Sequence, residues 1–73
     1  MTIAQIERYF EYELNNLRRM VKFHPTTWIA KDDVIRATLS RGLGVILFAQ
    51  LNGVAYDEVA PMYDAFKAEV EKI

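Results

Sequence analysis

Leu43-Gly44-Val45-Ile46-Leu47-Phe48-Ala49-Gln50-Leu51-Asn52-Gly53 sets the architecture of this chain. Eight of the first nine residues are apolar or glycine, and Asn52-Gly53 is a stop signal for a helix. Upstream, Ile35, Leu39, Gly42, Leu43, Ile46 and Ala49 recur at spacings of three and four, the period of one helical face. The stretch is therefore the second half of a helix that starts at Asp32 or Asp33, where a carboxylate caps free N–H groups and meets the positive end of the dipole. Leu47, Phe48 and Leu51 fall off that face, so the helix is apolar almost all round. Such a helix is expected to be buried on every side and to form the centre of the fold. Gln50, set among these residues, is then expected to find a hydrogen-bond partner.

Two further helices flank this one. The first is predicted over about 2–22: Thr2 and Gln5 have the spacing of a capping box, and Ile3, Ile6, Phe10, Leu14, Leu17 and Val21 form one stripe. Pro25 ends it by forcing its predecessor out of the α region. Tyr9, Tyr12, Met20 and Phe23 make a second stripe, which serves either a second neighbouring helix or an exposed contact surface. In the connector, Trp28 and Ile29 are expected to fold over an open end of the core. The third helix is predicted over about 57–73, with Val59, Met62, Tyr63, Phe66, Val70 and Ile73 in line and Pro61 inside the first turn, where no helical N–H is lost. The expected fold is a single all-α domain spanning 1–73, a small three-helix bundle with a tight connection between helices 2 and 3.

Seventy-three residues bury a thin core, and with no cysteine the chain has neither disulfides nor thiolate zinc ligands to reinforce it. Hydrophobic residues make up 52% of the sequence, more than a small bundle readily hides, so self-association is expected. Glu7 and Arg8 interrupt any leader-like apolar run, and Leu43–Leu51 is far shorter than a bilayer span; a cytoplasmic protein without membrane contact is the expectation. The net charge of -1 gives no overall attraction to polyanions. The ends differ, however: residues 1–31 are net basic through Arg8, Arg18, Arg19, Lys22 and Lys31, and the last twenty residues are net acidic.

Catalytic chemistry has little to draw on. The single histidine, His24, sits beside a proline in the connector, and no nucleophile–base–acid set accompanies it. Asp32–Asp33 and Asp57–Glu58 are neighbours in sequence at helix starts, so capping explains them and they do not converge on a metal. Gly42 and Gly44 lack the lysine and preceding strand of a phosphate loop. Each costs about 1 kcal/mol in a helix, which predicts a close helix–helix contact at the pair, with a kink as the alternative. No enzyme activity, cofactor or metal is expected.

Ala49, Gly53, Val54, Val59 and Met62 have the spacing of small, turn and core positions in a helix-turn-helix, and residues 45–64 resemble that DNA-binding family over about twenty positions. The resemblance implies a small DNA-binding regulator. Its reading helix would present Tyr56, Asp57, Ala60, Pro61 and Asp64, a poor match to phosphate. The favoured expectation is instead an interaction or assembly module, a homodimer, with nucleic acid an unlikely partner. Its candidate interface comprises Tyr9, Tyr12, Met20, Phe23, Leu47, Phe48 and Leu51.

Overall fold

A computed structural model describes residues 1–23 and 31–73. The helices are α1 (Ile3–Phe23), α2 (Lys31–Leu51) and α3 (Tyr56–Glu71), each packed against both others. His24, Pro25, Trp28 and Ile29 lie outside the described residues, and with them the expectation for the connector.

The local signals act as their chemistry requires. At the start of α1 the Thr2 N–H donates to Gln5 Oε1 at 2.8 Å, and the Gln5 N–H donates to Thr2 Oγ1 at 3.2 Å, a reciprocal capping box. At the end of α2 the Val54 N–H reaches the Ala49 carbonyl and the Gly53 N–H reaches that of Gln50. This is a Schellman closure, and Gly53 occupies its left-handed position at φ 86°, which an L side chain resists. Four residues then suffice to reverse the chain into α3.

The first turn of α3 behaves differently from expectation. Ala55 precedes it in extended conformation without a side-chain cap, so Pro61 falls in the second turn rather than the first. The Asp57 carbonyl thereby loses its i+4 donor. Both residues are exposed, and water can take the missing place.

The direction of each helix follows from its cross-links. Phe10 stacks on Phe66 with ring centroids 4.6 Å apart, and Arg18, further along α1, meets Glu69, further along α3. Helices α1 and α3 are thus parallel, and α2 runs against both. The core comprises Ile6, Phe10 and Leu17 from α1, Ile46 and Ala49 from α2, and Val59, Phe66 and Val70 from α3.

At Gly42, α2 lies close against the aromatic side chains of α3. A Cβ placed there would stand 2.8 Å from Phe66 Cε2 and 3.3 Å from Tyr63 Cε2. Gly44 has nothing within 4 Å of that position, so only Gly42 of the expected pair marks a helix contact.

Candidate protein interface

The buried side of α2 carries Thr38, Gly42, Ile46 and Ala49, with Val34, Ile35, Leu39 and Val45 packed beside them. At 100° per residue, the direction opposite this side holds Ser40, Gly44, Leu47 and Leu51, with Leu43 and Phe48 on its two flanks. All six are exposed. Leu47 retains 63% of its surface, Phe48 54% and Leu51 85%. The expectation of a helix buried on every side is therefore corrected: three helices offer α2 two neighbours on one side, and among the described residues nothing covers the other. Leu43, placed on the core face by its spacing, also lies half exposed at its edge. Gln50 is exposed too, which removes the reason for it to need a partner within the protein.

The seven candidate interface residues do not form one surface. Leu47, Phe48 and Leu51 lie together toward the end of α2, level with the start of α1. Tyr9, beside Glu13 and Arg41, is partly buried against the core, and Tyr12 is exposed. Met20 and Phe23 sit at the opposite end of α1, and because α2 is antiparallel, Phe23 and Leu51 are separated by about 30 Å along the bundle. Phe23 is 64% exposed, with the Lys22 ammonium 5.3 Å from its ring centroid.

A polar cluster at the seam between α1 and α2 was not foreseen. Glu13 is only 5% exposed, yet it occupies the core spacing of Ile6, Phe10 and Leu17. Arg41 neutralises it: Nε donates to both carboxylate oxygens at 3.2 and 3.1 Å, and Nη2 donates to Oε2 at 2.8 Å. Nη2 also reaches Thr38 Oγ1 at 3.3 Å, and that hydroxyl donates to the Val34 carbonyl at 2.8 Å. The hydrogen bonds to Glu13 raise Arg41 above the usual guanidinium range. Burial, and then the negative charge of Glu13, raise the Tyr9 phenol above its usual value. Glu13 in the 6–10–13–17 progression was the sequence signal, a charge where the period calls for an apolar side chain.

An 18-residue window of α2, with a mean hydropathy of 1.3, is long and apolar enough by composition to cross a membrane, a test that the core helix of a small bundle also passes. Among the described residues, no group of three or more His, Asp or Glu side chains is arranged to hold a metal ion. No protein-family model, curated protein or solved structure matches this chain.

Proposed function

We propose that this protein is an assembly module that pairs with a second copy through the outer face of α2. The observation that carries the reading is the exposed row of Leu47 and Leu51, opposite the face that α2 gives to the core, with exposed Leu43 and Phe48 on its two flanks. Full burial of such a side chain contributes about 1.5–3 kcal/mol, and a twofold contact uses every residue twice. Gly44 sits within the row with open space at its Cβ position, so a partner helix can approach its backbone closely.

The helix-turn-helix alternative lacks comparable support. Tyr56, Asp57, Pro61 and Asp64 are exposed on α3 with two carboxylates among them, and Arg18 is engaged by Glu69. The decisive measurement is sedimentation equilibrium of the wild type and of Leu47→Lys with Phe48→Lys. We expect a wild-type dimer at tens of micromolar and a folded monomer for the variant. A wild type that stays monomeric into the high micromolar range overturns the reading. If that monomer instead floats with lipid vesicles, the face belongs to a bilayer.

A further inference from the structure

A second surface lies on the side of the bundle away from Arg41, in the groove between the parallel helices α1 and α3. It encloses about 330 Å³, room for an aromatic side chain, above an apolar floor that includes Phe10, Leu14, Met62 and Phe66. Its rim is acidic: Glu7 and Glu11 on α1, and Glu69 on α3. Glu69 is already met by Arg18 at 3.6 Å and by Lys72 at 3.1 Å. Glu7 and Glu11 make no ion pair among the described residues, and they stand one helical turn apart, where like charges repel. An occupant with an apolar tip and adjacent cations would fill the floor and relieve that repulsion.

The chain carries such a group at the other end of α1. Arg19, Lys22 and Phe23 are exposed there, with Lys22 over the Phe23 ring. One copy cannot bring this end to its own groove, because both belong to the same straight helix. We propose that the groove between α1 and α3 receives the basic, Phe23-tipped end of α1 from a second copy. The contact is head to tail with one junction per pair of copies, which leaves one groove and one end open so that the assembly propagates; both junctions made within one pair would instead close it as a twofold dimer. It stands independently of the α2 pairing and differs from it in kind, since opposed charges steer it and salt screens it.

The test is a charge exchange followed by sedimentation velocity. One variant carries Glu7→Lys with Glu11→Lys, the other Arg19→Glu with Lys22→Glu; all four positions are exposed, and helical circular dichroism confirms folding. At about 50 mM salt the wild type should grow beyond a dimer as concentration rises, and it should lose that growth near 0.5 M, where the screening length falls to roughly 4 Å. Each variant alone should show no such growth. Their equimolar mixture should restore it, because both junctions again join opposite charges. Growth indifferent to salt, or a mixture no heavier than its components, overturns the proposal. A dimer that survives at high salt reports the α2 pairing alone, so the two contacts fail separately.

Discussion

Arg41 on α2 grips Glu13 on α1 through two guanidinium nitrogens, and the two residues are shielded unequally. The Glu13 side chain is 6% exposed and that of Arg41 50%. The carboxylate therefore depends on the pair for its solvation, whereas the guanidinium can fall back on water. Removing the cation should hurt more than removing the anion.

Arg41→Met is expected to lower stability by about 1–3 kcal/mol, the cost of leaving a buried acceptor unsatisfied. Glu13→Met with Arg41→Met should recover part of that loss, since an apolar pair of similar volume suits the site. Urea denaturation of the wild type and both variants checks this. Equal midpoints for wild type and Arg41→Met would show that Glu13 is hydrated from another direction.

The two α2 glycines should respond with opposite signs. Gly42→Ala drives a methyl into the Phe66 ring, which is itself held by Phe10, and should destabilise by about 1–3 kcal/mol. Gly44→Ala meets open space and should stabilise the monomer by about 1 kcal/mol through helix propensity alone. Thermal melts at low protein concentration give both numbers. Shifts in the same direction would contradict the packing at Gly42.

Ile46→Ala and Leu43→Ala separate the two faces of α2. Ile46 is 5% exposed and its truncation should cost about 2–5 kcal/mol. Leu43 is 49% exposed, and its loss should cost about 1 kcal/mol or less in the monomer. Comparable losses at the two positions, measured in urea below the association range, would mean that α2 is rotated from the orientation described.

Alkaline pH should weaken the fold through Tyr9. Its folded pKa lies above the unfolded reference of 10.0, so the stabilisation is complete below about pH 10. As pH rises further, the unfolded phenol ionises first, and the contribution is lost by the time pH passes the folded pKa. Tyrosinate absorbance should show one of the four tyrosines titrating late, and Tyr9→Phe should remove that component. A titration in which Tyr9→Phe deletes an early or ordinary component would refute the assignment.

The three helices, the Thr2–Gln5 box and the Gly53 turn were all readable from sequence because each depends on neighbours within a few residues. The inward side of α2 was readable too, apart from Leu43; that Leu47, Phe48 and Leu51 stay uncovered was not. Leucine and phenylalanine satisfy either a core or an exposed contact, and only the positions of α1 and α3 break the tie. Glu13 escaped notice although its place in the 6–10–13–17 progression signals burial, because the partner that neutralises it lies 28 residues away. The sequence grouped Met20 and Phe23 with Leu47 by residue type, but helix direction sets them at opposite ends.

The fit of Phe66 over Gly42 has a mechanical corollary for the hairpin of α2 and α3. One turn to either side of Gly42, the inward positions are Thr38 and Ile46, both carrying β-branched side chains. Sliding α3 by a turn in either direction would ram the ring into one of them. The missing Cβ thus works as a detent: it admits the ring at a single axial setting and raises a steric barrier on both sides. A sequence of interchangeable leucines along α2 would bury as much apolar area, yet would let the hairpin settle in several alignments of similar energy.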